Sequence, residues 1–141
     1  MSETDANAEM VAAVPSVWPS VGFTDVEAGV RFLTEGLGFV LTAMHRDASD
    51  TVEHAEARWP DGGGVMFGSR GKPGEWGGLG PQGVYVVAAE PATVDATYER
   101  VRSMTGVEVL RELHDTDYGS HQFDVRDADG NLWTMGTYRG A

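Results

Sequence analysis

The chain has 141 residues, enough for one domain that buries a core of its own. Its formal net charge of −12 excludes nucleic acid as an expected partner, because phosphate binding requires clusters of Lys and Arg that this chain lacks. The absence of cysteine excludes disulfides, a thiolate nucleophile and thiolate metal sites.

The N-terminal segment is acidic. It carries Glu3, Asp5 and Glu9 where a signal peptide would have a basic region followed by an apolar stretch. No apolar run in the chain approaches the length that crosses a bilayer. We therefore predict a disordered N-terminus over residues 1–13, a single domain over 14–141, and a cytoplasmic protein with no membrane partner.

The first half of the chain predicts one helix among four strands. A β-rich segment ends at Thr24-Asp25, residue types that start helices. Apolar residues then recur at helical spacing until Gly36 and Gly38 end the helix. The strands predicted around this helix are 14–23, 39–44, 52–59 and 64–69.

The third of these strands alternates between apolar and polar residues, which is typical of a half-buried strand. Ala55, Ala57 and Trp59 share one face. The other face carries His54, Glu56 and Arg58. We expect the apolar face to pack on the helix and the polar face to line a concavity.

The second half repeats the first. The motif around Asp61-Gly62 recurs 68 residues later around Asp129-Gly130, and the apolar helix positions keep the same offset. The sequence therefore predicts an α+β fold of two βαβββ modules that form a curved mixed sheet around a cleft. The modules span about 14–70 and 83–139, and the linker between them is 71–82.

One stretch carries a family resemblance. The run from Tyr118 to Trp133, YGSHQFDVRDADGNLW, is similar to the ending of the glyoxalase and bleomycin-resistance branch of the vicinal oxygen chelate superfamily and of its PhnB-like relatives. The stretch His54-Ala55-Glu56 also resembles the PhnB-like proteins. The superfamily includes glyoxalase I, extradiol dioxygenases, fosfomycin-resistance enzymes and bleomycin-resistance proteins. Its members usually form dimers, so the resemblance implies a homodimer.

The resemblance also implies a divalent metal, held by His, Glu or Gln side chains from four strands. Here three of those positions fall on Trp18, Met66 and Thr134, and the fourth lies within residues 82–86, where only Gln82 could be a ligand. An indole, a thioether and a hydroxyl do not form a site for a hard divalent ion. We therefore predict no metal and no cofactor.

Several side chains are candidate ligand-binding residues. Trp18, Met66 and Thr134 would form the floor of the cleft, unless they pack in a closed core. A second candidate is the aromatic Trp76 in the Gly-rich linker, which could close over a ligand or anchor the linker. Polar recognition is assigned to Glu56, Arg58, Asp124 and Arg126, which could alternatively be ion pairs on a solvated face.

His54 and His121 are the histidines predicted on strands near the concave face, so each is a candidate general base, although a histidine without an identified nucleophile or metal is more often structural. The first functional hypothesis is a metal-free protein that sequesters an antibiotic or aromatic metabolite in a dimer cleft. The ligand would be a small organic molecule that is aromatic or cationic. The alternative is an enzyme, a glyoxalase-like lyase, isomerase or dioxygenase with an atypical metal site. A third option is a structural domain whose cleft is filled by its own side chains.

Overall fold

The predicted α+β fold is confirmed. The computed structural model describes residues 15–141, so the predicted disorder over 1–13 lies outside the described residues. Eight strands form two four-stranded mixed sheets. The strands are β1 Ser20–Phe23, β2 Val40–Arg46, β3 Val52–Arg58, β4 Gly64–Ser69, β5 Gly83–Val87, β6 Glu108–Asp115, β7 His121–Arg126 and β8 Leu132–Gly136.

Each module has one main helix. The first, α1, covers Val26–Arg31, and the chain continues as a π-helical segment over Phe32–Leu37. This helix starts where the Asp25 carboxylate accepts a hydrogen bond from the Ala28 backbone, and the segment ends at Gly38, which has φ of 97°. The second helix, α2, covers Pro91–Val101, and the linker contains a 3₁₀ turn over Glu75–Gly78.

The two sheets repeat one strand order, β1-β4-β3-β2 and β5-β8-β7-β6. Glu56 pairs with Met66 in the first sheet, and Asp124 pairs with Thr134 at the corresponding place in the second. The offset of 68 residues predicted from the sequence therefore holds in the strand register of the β3–β4 and β7–β8 pairs.

The apolar faces of both modules contribute to one cluster of buried residues. Trp133 of β8 is 1% exposed and contacts the rings of Phe32 and Phe39 from the first module, with centroids 5.6 and 6.2 Å away. The second helix also approaches the first module closely, because the Nε of Arg100 donates to the Gly36 carbonyl at 3.0 Å. The two modules therefore stabilise each other through a shared core.

The two β-hairpin turns hold the modules together in a related way. The Asp61 carboxylate accepts a hydrogen bond from the backbone of Ala89, just after β5, at 3.0 Å. The Asp129 carboxylate accepts from the backbone and hydroxyl of Thr24, just after β1, at 3.0 and 2.6 Å. Within residues 15–141, no helix has the length and apolar character to cross a membrane.

Candidate functional site

The polar face of the first sheet follows from the alternation of β3. Ala55 and Ala57 are buried on the helix side, and the residues between them face the opposite way. The register pairs Glu56 with Met66 and Met66 with Ser20. Because paired residues project from the same face of a sheet, these three side chains form one row across it.

A cavity of about 340 Å³ lies on this face. It brings together four of the residues predicted from the sequence, Trp18, Met66, Trp76 and His54. Trp76 lies on the 3₁₀ turn of the linker and is 63% exposed, so its indole is available to a ligand. We call this the tryptophan cavity; its lining is Trp18, Ser20, Glu53, His54, Met66, Phe67, Lys72 and Trp76.

Trp18 is half-buried and lies just before β1. Its ring packs over Gly64, where an added Cβ would come within 2.8 Å of the indole and 2.5 Å of the Ala57 carbonyl oxygen. The guanidinium of Arg58 lies over the indole, 5.9 Å from the ring centroid, which is a cation–π geometry. The Trp18 ring is thus positioned by β3 and β4 together.

His54 and Glu56 form a polar pair on the same face. The Nε2 atom of His54 is 2.8 Å from a carboxylate oxygen of Glu56. The ring of His45, on the neighbouring strand, stacks at a centroid distance of 6.2 Å. The carboxylate fixes the orientation of the His54 imidazole, and this arrangement is able to accept or deliver a proton in the cavity.

The other predicted binding residues lie on the second sheet. Thr134 donates its hydroxyl to the Asp124 carboxylate at 2.6 Å, so these two side chains bind each other. Arg126 pairs with Glu108 on the neighbouring strand at 3.2 Å. None of these residues lines the cavity that contains Trp18.

A second cavity, of about 590 Å³, lies on the second module. We call it the tyrosine cavity; its lining is Tyr85, Val87, Tyr118, Tyr138, Arg139 and Gly140. The rings of Tyr118 and Tyr138 meet edge to face at 5.2 Å, and the Tyr85 hydroxyl is 3.3 Å from the Ser120 hydroxyl. Sequence reasoning missed these tyrosines, although Tyr118 stands in the run that carries the family resemblance.

His121 lies elsewhere than expected. Its imidazole contacts Asp95 of α2, and Phe123, two residues later on β7, packs on Tyr98 of the same helix. The side chain of His121 is therefore on the helix side of the second sheet, away from the face that carries Asp124. This placement corrects the expectation that His121 is near the concave face, since residues two apart on a strand share a face.

The strand register locates the fourth metal position of the family, which the sequence left within residues 82–86. Ser20 pairs with Met66 and Tyr85 pairs with Thr134, so Ser20 and Tyr85 are equivalent. Trp18, two residues before Ser20, then corresponds to Gly83, which has no side chain donor. Gln82, which the sequence singled out as the possible ligand there, is exposed and donates its amide to the Gly80 carbonyl at 3.0 Å.

The donor set does not fit a divalent metal ion. The four positions hold an indole, a thioether, a glycine and a hydroxyl that is already bonded to a carboxylate. In the part of the chain that the structure describes, no three His, Cys, Asp or Glu side chains are grouped so that they could hold a metal. The occupants of the four positions are Trp18, Met66, Gly83 and Thr134.

Comparison with known proteins gives a family match over most of the chain. Residues 18–135 match the model of the Glyoxalase/Bleomycin resistance protein/Dioxygenase superfamily. No protein of curated function matches.

Solved structures with the same fold include TioX from Micromonospora sp. ML1, with 28% identity, a TM-score of 0.66, and coverage of 86% of this chain and 98% of TioX. A glyoxalase-related enzyme from Fulvimarina pelagi shares 21% identity with a TM-score of 0.65, covering 87% of this chain and 88% of that one. The lactoylglutathione lyase from Agrobacterium tumefaciens shares 16% identity with a TM-score of 0.61, covering 87% and 94%.

Proposed function

Because the chain belongs to the Glyoxalase/Bleomycin resistance protein/Dioxygenase superfamily, we propose that it is a metal-free protein that binds a small aromatic molecule without transforming it. The observation that carries the proposal is the tryptophan cavity, in which Trp18, Met66 and Trp76 meet. Within the superfamily, the run from Tyr118 to Trp133 favours the bleomycin-resistance-like or PhnB-like branch. The role that follows is sequestration of an antibiotic or an aromatic metabolite.

The shape and lining of the cavity support an aromatic ligand. Its volume of about 340 Å³ is within the range of small-molecule sites. Indole rings and a thioether offer polarisable surface to a planar compound, and Trp76 is exposed enough to stack on it. Since the Arg58 guanidinium already lies over Trp18, a neutral aromatic ring is favoured over a cation.

The proposed binding site is completed by a second copy of the chain. The tryptophan cavity is lined by the first module and the linker, and the tyrosine cavity mainly by the second module. We propose that each forms half of a cleft between two copies of the chain. Both leave large aromatic side chains in solvent, with Trp76 at 63% and Tyr118 at 57% exposure. Covering such surface with a partner is favourable, and we propose a homodimer in which the two faces meet.

The test combines native mass spectrometry with elemental analysis of protein purified without a chelator. We expect a dimer without stoichiometric Zn, Ni, Mn or Fe, and we expect aromatic compounds in a thermal-shift screen to raise the melting temperature by mass action. About one tightly held metal per subunit, lost together with activity when Glu56 is replaced by Gln, would contradict the proposal.

The His54–Glu56 pair favours a second candidate function, a metal-independent isomerase. A histidine oriented by a carboxylate at 2.8 Å can move a proton on a bound substrate. Turnover of a cavity ligand that is lost in His54→Gln, with ligand affinity retained, would support the isomerase. Binding that is unchanged by this substitution, with no turnover in either protein, would support sequestration.

A further inference from the structure

The imidazole of His121 lies between two carboxylates from different elements. Its Nε2 atom is 2.6 Å from Oδ1 of Asp95 on α2, and its Nδ1 atom is 2.8 Å from Oδ1 of Asp115 at the end of β6. His121 is itself the first residue of β7 and pairs with Asp115 in the strand register. One ring therefore connects the helix to both strands beside it.

This geometry selects the protonated ring. An ionised carboxylate only accepts hydrogen bonds, so two carboxylates require a donor at each ring nitrogen. A neutral imidazole has one N–H group, whereas the imidazolium has two. Only the imidazolium can satisfy Asp95 and Asp115 at the same time.

The charges around the ring agree with this assignment. The hydrogen bond to Asp95, followed by the hydrogen bond to Asp115, raises the pKa of His121 above its ordinary value of 6.5. Thr137, the neighbour on the β8 side, bears no charge, and its hydroxyl accepts from the His121 backbone at 3.0 Å. Arg111 and Asp117 are charged groups that line a pocket together with Asp115.

His121 is adjacent to the groups that arrange the tyrosine cavity. The preceding residue, Ser120, is 1% exposed, and its hydroxyl contacts the Tyr85 hydroxyl at 3.3 Å and the Tyr138 backbone N–H at 3.2 Å. The turn that joins Asp115 to His121 carries Tyr118, whose hydroxyl donates to the Gln122 side chain at 3.4 Å. One or two intervening residues therefore separate His121 from the contacts of all three tyrosines.

We propose that His121 is a pH-dependent clamp, which in its imidazolium form ties α2 to the ends of β6 and β7 and holds the tyrosine cavity in shape. Loss of the proton releases one of the two carboxylates, and the turn that carries Tyr118 loosens. The effect on ligand binding rests on the proposed function, because the tyrosine cavity is half of that cleft. The clamp itself does not require a ligand.

The sign of the pH dependence follows from the raised pKa. A group that binds its proton more tightly in the folded state contributes stability that is complete below its unfolded pKa. That contribution is lost as the pH rises through the folded pKa. The clamp is therefore closed at a pH below the ordinary pKa of histidine and opens as the pH rises through the raised pKa of His121.

The test follows the His121 ring and the tyrosine rings by ¹H–¹³C NMR between pH 6 and 8.5, below tyrosine ionisation. We expect His121 to titrate above 6.5 and the signals of Tyr118 and Tyr138 to shift with the same midpoint. In Asp95→Asn the midpoint should fall. The control Asp117→Asn, in the turn between Asp115 and His121, should leave the midpoint almost unchanged.

Thermal unfolding gives the second readout. The melting temperature of the wild type should fall across this pH range by more than that of His121→Gln, which has no charge to lose. Tyrosine signals that do not follow His121, or equal pH dependence in the wild type and His121→Gln, would overturn the clamp. If His121→Gln does not fold, the NMR midpoint in Asp95→Asn decides the question. Neither readout uses a ligand, so failure of the clamp is distinct from failure of the proposed binding function.

Discussion

The guanidinium of Arg58 lies 5.9 Å from the centroid of the Trp18 ring, so one face of the cavity's main aromatic residue already interacts with a cation of the same chain. The cation–π attraction is electrostatic and depends on access to the ring face. A cationic ligand would have to compete with Arg58 for that face, whereas a neutral ring can stack on the remaining surface. The pair therefore sets the charge preference of the site.

Replacing Arg58 with Gln should move that preference toward cations. We expect the ratio of the dissociation constants for a neutral aromatic ligand and a size-matched trimethylammonium ligand to change by about 3- to 30-fold, which corresponds to roughly 0.5–2 kcal/mol of cation–π energy. Isothermal titration calorimetry measures both constants. The control is Arg126→Gln, the equivalent position 68 residues later, which should leave the ratio unchanged. Equal ratios in all three proteins would contradict the assignment.

The two hairpin aspartates should differ in their contribution to stability. Asp129 accepts the backbone and hydroxyl of Thr24 and pairs with Arg70, and its side chain is 9% exposed. Asp61 accepts only the Ala89 backbone among the described contacts and is exposed. We expect Asp129→Ala to lower the free energy of unfolding by about 1–3 kcal/mol, because it leaves several polar groups without a partner, and Asp61→Ala by less than about 1 kcal/mol.

Urea denaturation of the two alanine variants measures this difference. If both variants unfold with the same m-value, the difference between their denaturation midpoints reports a difference in stability. An equal loss in the two variants would mean that the additional contacts of Asp129 contribute nothing, and that the repeat is energetically symmetric at its hairpins.

The proposed dimer predicts a sedimentation result. The chain has a mass of 15.1 kDa, and at micromolar concentration we expect a species of twice that mass, because each module leaves an aromatic face open. Tyr118→Asp should shift the equilibrium toward the monomer, since it places a charge on the face that meets the partner. A wild-type protein that stays monomeric at every accessible concentration would exclude the dimer cleft.

Much of the fold could be predicted from the sequence because its signals are local. Periodicity and the hairpin residues predicted the bounds that are observed for β4, Gly64–Ser69. The helix of the first module ends at Gly38, as expected. The π-helical segment could not be predicted in this way. It includes Gly36, where an added Cβ would come within 2.8 Å of the Met104 sulfur and 3.1 Å of a Val101 methyl. That close approach depends on a residue far away in the chain.

Part of the site could be predicted from the family resemblance, which placed Trp18 and Met66 together, and these two residues line one cavity. Strand alternation applied to Phe123 would have placed His121 on the helix side. The grouping of Tyr118 and Tyr138 depends on how a turn and the segment after β8 fold back toward each other. Hydrophobic periodicity carries no information about such contacts.

The most direct test of the account is the binding of a screened aromatic ligand to EDTA-treated protein, followed by tryptophan fluorescence in the wild type and in Trp18→Ala. We predict that the metal-free wild type binds with quenched emission, and that the variant keeps its fold and loses about 1–3 kcal/mol of binding free energy, the scale for one aromatic anchor. Two results would contradict the account of a metal-free aromatic site. One is that EDTA abolishes binding. The other is that Trp18→Ala costs about 3–5 kcal/mol of stability, as a core aromatic would, while no ligand raises the melting temperature.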